Sequence, residues 1–117
     1  MLKGKLMKQY KLKVIFMSIR KQFYEKKPVC KVTFKLTKDI ASLANRVNLA
    51  GDFNNWDKEG IPMKKLKNGE FSVSVDLQKG REYQFRYLID GCSWLNETEA
   101  DKLVPNEFQS DNSVVIV

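Results

Sequence analysis

The chain has 117 residues, is 43% hydrophobic and 30% charged, and contains no histidine. That length suits one domain of roughly 100–200 residues, and a catalytic barrel, which takes about 250 residues, is excluded. Without histidine there is no His-based triad, imidazole base or His–metal site, and two cysteines make neither a four-thiolate zinc site nor a disulfide framework.

The 21 Lys/Arg against 14 Asp/Glu give a net charge of +7, a balance that raises nucleic acid as a partner. The position of the excess argues otherwise. Lys3, Lys5, Lys8, Lys11 and Lys13 fall in residues 1–16 with no acid among them, and the remainder carries 16 basic and 14 acidic residues. Residues 1–16 therefore read as a dispensable basic N-terminal extension, with Met17 a plausible alternative start, and residues 17–117 as the domain. Val14-Ile15-Phe16-Met17 is shorter than the 7–15 apolar residues of a signal peptide. No run reaches the roughly 20 apolar residues of a membrane helix. The expectation is a cytoplasmic protein with no membrane and no nucleic acid as partner.

From residue 29 onward the chain reads as short strands. In Val29 to Thr37, Cys30, Val32, Phe34 and Leu36 face one way while Lys31, Thr33 and Lys35 face the other, the period of a half-buried strand. Lys38 to Arg46 is a polar connection with one helical turn begun by Asp39. Val47 and Leu49 alternate in a second strand running into Gly51-Asp52. Met63 to Leu66 and Phe71 to Leu77 are joined across Asn68-Gly69, a strong hairpin signal. Gln78-Lys79-Gly80 turns into a strand from Glu82 to Ile89, ended by Asp90-Gly91. A looser stretch from Cys92 to Asp111 precedes a last strand, Val114 to Val117. Six or seven short strands of this kind predict an all-β, immunoglobulin-like antiparallel sandwich.

Cys30 lies on the inward strand face and Cys92 past a turn, neither beside a base nor in a Cys-x-x-Cys pair, so both read as ordinary thiols. Asp52 with Asp57, and Glu97 with Glu99 and Asp101, are candidate acid–base pairs for glycoside hydrolysis. That chemistry needs a cleft holding the pKa values apart. Loop carboxylates of a small sandwich read instead as solvated turn residues. The run Glu82 to Ile89 interleaves aromatics with Arg86, as RNA-binding strands do. Alternation puts Tyr83, Phe85, Tyr87 and Ile89 together as half of a core, leaving Gln84, Arg86 and Leu88 on the other face.

Trp56 follows the turn-rich Gly51-Asp52-Phe53-Asn54-Asn55, and Trp94 follows Asp90-Gly91. Two readings stay open for this pair: covered caps of the core, or flat apolar platforms rimmed by hydrogen-bonding groups. The second suits a sugar ring, whose faces are C–H rich and whose edge is hydroxyl.

Val47 to Asp57, Ile61-Pro62-Met63, Gly69-Glu70-Phe71 and Tyr83 to Gly91 together resemble the family-48 carbohydrate-binding modules. These are the isoamylase N-terminal or early set domains, found also as the glycogen-binding domain of the AMP-activated kinase β subunit. The resemblance covers residues 29–117 and implies an immunoglobulin-like sandwich recognising α-1,4-glucans. It places Trp56 and Trp94 as glucose-stacking residues and Arg86 where a lysine reaches sugar hydroxyls. Phe108, Ser110 and Asn112 fall at the apolar, hydroxyl and asparagine contacts. The expected activity is non-catalytic binding of a glucan polysaccharide or malto-oligosaccharide, with no metal or cofactor. A second reading is an interaction module docking an enzyme of glycogen or starch metabolism, with its sugar face unused.

Overall fold

The computed structural model describes residues 18–41 and 44–117. The extension expected over residues 1–16, and the start at Met17, lie outside the described residues. Ten strands form among those described: β1 (Ile19–Phe23), β2 (Val29–Leu36), β3 (Val47–Gly51), β4 (Ile61–Pro62), β5 (Lys64–Lys65), β6 (Phe71–Gln78), β7 (Glu82–Ile89), β8 (Ser93–Leu95), β9 (Lys102–Pro105) and β10 (Asp111–Ile116). One helical turn, α1 (Lys38–Ala41), follows β2, and a single 3-10 turn, Asp52–Asn54, follows β3. No helix among the described residues is long and apolar enough to cross a membrane.

Two antiparallel sheets pack face to face. Sheet A has the order β1-β2-β6-β5, and sheet B the order β4-β3-β7-β10-β9, with β8 also pairing with β7. The period-two alternation decides which side of each strand enters the core. Cys30, Val32, Phe34 and Leu36 of β2 are buried, and opposite them lie Val47 and Leu49 of β3 with Phe85 and Tyr87 of β7. Phe34 meets Phe85 edge-on with ring centroids 4.9 Å apart. Each such buried side chain contributes roughly 1.5–3 kcal/mol relative to exposure. Burial also pushes the Cys30 thiol pKa up, which keeps it protonated and inert.

The strand count exceeds the expected seven for a physical reason. β4 and β5 are two-residue pairings against β3 and β6, too short to show a period. β1 carries Arg20, Lys21 and Gln22 around a single buried residue, Ile19, so its sequence shows no apolar alternation. Backbone pairing with β2, from Ile19 opposite Phe34 to Phe23 opposite Cys30, makes it a strand. The stretch from Cys92 to Asp111 contains β8 and β9 rather than loop alone, and β10 begins at Asp111, three residues before Val114.

One carboxylate departs from the solvated-turn reading. Glu97 is buried, takes a short hydrogen bond from the Tyr87 hydroxyl on one oxygen, and takes the Glu99 amide at 2.8 Å on the other. The Ser113 hydroxyl accepts the Glu97 amide at 2.9 Å and donates to Asn96 at 2.7 Å. This polar cluster pins the segment between β8 and β9 against β7 and β10. Asp52, Asp57, Glu99 and Asp101 are exposed.

Candidate functional site

The outer face of sheet B is where the tryptophans meet. Register puts Arg86 beside Ala50 of β3, and Leu88 beside both Asn48 of β3 and Trp94 of β8. Paired residues share a face, so Trp94 stands over the outside of the sheet in line with Arg86. The Asp90-Gly91 turn brings it there. Both residues have positive φ, 50° and 72°, and the Cys92 amide closes the turn on the Ile89 carbonyl at 3.0 Å. Since Ile89 pairs with Ser93, residues 90–92 form a three-residue hairpin connection. The Asp90 carboxylate ties it to β3 by accepting the Asn45 and Arg46 amides at 2.8 and 2.9 Å.

Trp56 reaches the same face from the end of β3. Gly51 runs so close to β7 that a Cβ there would lie 2.4 Å from the Gln84 carbonyl and 2.8 Å from Phe85 Cβ. The chain then folds back on itself. The Asn54 side chain accepts the Gly51 amide at 2.9 Å and donates to the Leu49 carbonyl at 3.1 Å, while the Trp56 amide reaches the Gly51 carbonyl at 2.9 Å. Asn55 and Trp56 both hold left-handed backbone, φ 58° and 57°. Asparagine tolerates that region; a bulky tryptophan rarely does. Such strain persists where the surroundings over-determine it and concentrates at functional sites. Here the restraint is Asp52, whose carboxylate accepts the Trp56 indole N–H at 3.0 Å and the Gln84 amide at 2.7 Å.

The third wall is the loop between β9 and β10. The Asn106 side-chain oxygen accepts the Phe108 and Ser110 amides at 2.8 and 3.2 Å, and its own backbone amide reaches the Ser110 carbonyl at 2.9 Å. The Asn106 amide group also donates to Asn112 at 3.1 Å, and Asn112 donates to Gln84 at 3.0 Å. A ladder of three side-chain amides thus crosses from the loop to β10 and β7.

All six residues nominated from the sequence line one cavity of about 780 Å³: Trp56, Arg86, Trp94, Phe108, Ser110 and Asn112. Lys58, Gln84, Asn106 and Glu107 complete the lining. The tryptophan rings stand 6.4 Å apart at 62°, so they offer two inclined platforms rather than one plane. The Arg86 guanidinium lies 5.2 Å from the Trp94 ring centroid and donates to the Ser110 hydroxyl at 3.1 Å. Its Nε is buried without a hydrogen-bond partner among the described residues. Trp94 and Phe108 are 37% and 79% exposed, so neither is a core cap. Among the described residues, no group of three or more Cys, Asp or Glu is placed to hold a metal ion.

Sequence reasoning did not nominate Asp52, Lys58, Gln84, Asn106 or Glu107 for this face. Gln84 was legible, since it shares the period-two face of Arg86. Asn106 was not, because its role is set by a loop conformation that no local pattern announces.

The model for the family described as the glycogen recognition site of AMP-activated protein kinase matches residues 32–117. An amylopullulanase from Thermoanaerobacterium thermosulfurigenes is 37% identical over 73 residues, 61% of this chain and 4% of that protein. Protein PTST homolog 2, chloroplastic, from Arabidopsis thaliana is 40% identical over 48 residues, 41% of this chain and 9% of that protein. The chain spans less than a tenth of the length of either relative.

Proposed function

Since the chain belongs to the family of the glycogen recognition site of AMP-activated protein kinase, we propose that it binds α-1,4-glucans without cleaving them. The observation that carries this reading is the convergence of two indoles, Trp94 exposed and Trp56 half-buried, and four hydrogen-bonding side chains on one groove. A pyranose face lies on an aromatic ring through its C–H bonds, while its edge hydroxyls need donors and acceptors. Trp56 and Trp94 supply the first; Arg86, Ser110, Asn112 and Gln84 supply the second. Two platforms set at 62° suit a curved chain, such as α-1,4 linkage produces, better than a flat ribbon. Phe108, on the loop tip, closes the apolar floor.

The non-catalytic part of the reading rests on the carboxylates. Glycoside hydrolysis takes a facing pair, and Glu107 is the one carboxylate lining the groove among the described residues. Asp52 is committed to Trp56 and Gln84, and Glu97 to Tyr87 and Glu99.

A glucose face covering about 60–80 Å² of indole, at about 25 cal/mol per Å², gives roughly 1.5–2 kcal/mol per platform. With the cost of association, two platforms and a few hydrogen bonds give micromolar to millimolar binding. The test is retention on immobilised amylose. Trp56→Ala weakens it at least about tenfold while the far-ultraviolet circular dichroism stays that of a β-sandwich. A folded wild-type chain that ignores amylose and glycogen overturns the reading and leaves a protein-docking module in its place.

A further inference from the structure

The near balance of the body hides a strong polarity. Residues 18–36 and 63–80, which build sheet A, carry 10 Lys/Arg and 3 Asp/Glu, an excess of seven positive charges. The other described residues, which build α1, sheet B and its loops, carry 6 Lys/Arg and 11 Asp/Glu, an excess of five negative charges. A neutral glucan needs neither excess, and the glucan groove lies on the sheet B side.

Strand register maps the positive side residue by residue. On the outer face of sheet A, Lys64, Ser72 and Lys35 stand in one row, Ser74, Thr33 and Arg20 in the next, and Asp76, Lys31 and Gln22 in the third. Four cations thus frame a floor of small hydroxyl side chains, with one acid at a corner. Of the four, only Lys35 has an ion pair among the described residues, with Glu70 at 3.7 Å. Thr33 and Ser74 satisfy each other at 2.8 Å across the middle of the floor. No aromatic or aliphatic side chain belongs to these three rows.

We propose that the outer face of sheet A is a docking surface for an acidic protein, which binds there while the groove on sheet B stays open. Charge complementarity selects an anionic occupant and steers its approach. The lack of rings in these three rows removes the stacking platform that single-stranded nucleic acid uses. The lack of exposed apolar side chains across these three rows removes the wedge by which an interfacial segment enters a bilayer. A flat sheet face does not enter a nucleic-acid groove as a helix or ribbon does. An acidic protein surface needs none of these features. The inference stands independently of the glucan reading.

The probe is poly-L-glutamate, titrated into the full chain at about 50 mM and about 200 mM salt, where screening lengths differ about twofold. Two double variants carry the same change in net charge. Lys31→Glu with Lys35→Glu alters the proposed face, and Arg81→Glu with Lys102→Glu alters the sheet B side. Both keep residues 1–16, so a contribution from those lysines is common to both. The expected result is salt-sensitive binding that the first pair weakens roughly tenfold and the second changes little, with amylose retention equal in all three proteins. No binding at low salt, or equal loss in both variants, overturns the proposal. Tighter binding of a DNA duplex or phosphatidylserine vesicles than of poly-L-glutamate, lost with the first pair, also overturns it by assigning the face to another class. If the first pair does not fold, Lys31→Gln with Lys35→Gln is measured in its place, with the same outcomes deciding.

Discussion

The Asp52 carboxylate joins the indole of Trp56 to the backbone of Gln84, one oxygen at 3.0 Å and the other at 2.7 Å. That single side chain fixes the distance between the end of β3 and the outer face of β7. It also explains how Trp56 tolerates φ 57°. The backbone strain is opposed by a charged acceptor on the indole, and hydrogen bonds to charged groups contribute about 1.5–3 kcal/mol. Trp94 is held differently, by the guanidinium of Arg86 lying over its ring. Each platform of the groove therefore has its own restraint, and the two can be removed separately.

Asp52→Ala is expected to weaken amylose retention about five- to tenfold, a free-energy change of roughly 1–1.4 kcal/mol, without altering the groove's lining residues. Asp52→Asn keeps an acceptor oxygen for one of the two partners and should recover part of the loss. Tryptophan fluorescence checks the mechanism. In the alanine variant the Trp56 emission moves toward that of a mobile, hydrated indole; unchanged emission with lost binding would show that Asp52 acts elsewhere.

Arg86→Ala removes the cation over Trp94, an interaction worth about 0.5–1 kcal/mol at exposed sites, and the donor to Ser110. The expected loss of glucan affinity is roughly three- to fivefold, smaller than that of Trp56→Ala. Arg86→Lys keeps the charge but loses the planar stacking surface and the fork of donors, so it falls between wild type and alanine. Calorimetric titration with maltoheptaose separates the three. Salt should change none of these affinities much, because the ligand is neutral.

What the sequence disclosed and what it withheld divide along physical lines. β2, β6 and β7 were legible because each is eight residues long and shows its period of two. The tryptophans were legible as candidates because each follows a cluster of turn-forming residues, but whether they cap the core or face the groove was not. β1 was not, since its pairing with β2 depends on backbone hydrogen bonds and its residues are mainly polar. Glu97 was misread as solvated because its burial comes from Tyr87 and Ser113, 10 and 16 residues away. The charge polarity across the sandwich was equally hidden. It exists only once the chain has been sorted into two sheets.

The boundary of the domain gives a further test. The Ser18 carbonyl accepts the Lys35 amide at 2.8 Å, and β1 covers the edge of β2 from there to Phe23. We expect deletion of residues 1–16 to change stability by less than about 1 kcal/mol, within the range of surface changes. Deletion of residues 1–23 strips five paired residues from sheet A and bares the β2 edge beside Val32 and Phe34. It should lower the thermal midpoint by more than about 10 °C, since about 1 kcal/mol moves a domain of this size by roughly 4–8 °C. Equal midpoints for the two truncations would mean that β1 contributes nothing to the fold.

Alkaline stability reads out the buried pair Tyr87–Glu97. Burial, then the Glu97 charge, then the hydrogen bond to it, hold the Tyr87 pKa well above its ordinary value of 10.0. A group whose folded-state pKa is raised contributes stability that is complete below its unfolded pKa and lost as pH climbs toward the folded value. The contribution of Tyr87 is therefore constant through neutral pH and declines above about pH 10. Tyr87→Phe should remove that part of the alkaline decline. It should also start lower at pH 7, by about 1–3 kcal/mol, because the buried Glu97 carboxylate loses its hydroxyl donor. Glu97→Gln should keep most of the decline, since burial is the largest cause of the shift and survives the substitution. Thermal melts between about pH 7 and pH 11 decide it. A Tyr87→Phe protein with the same alkaline slope as wild type would show that Tyr87 ionises without opening the sandwich.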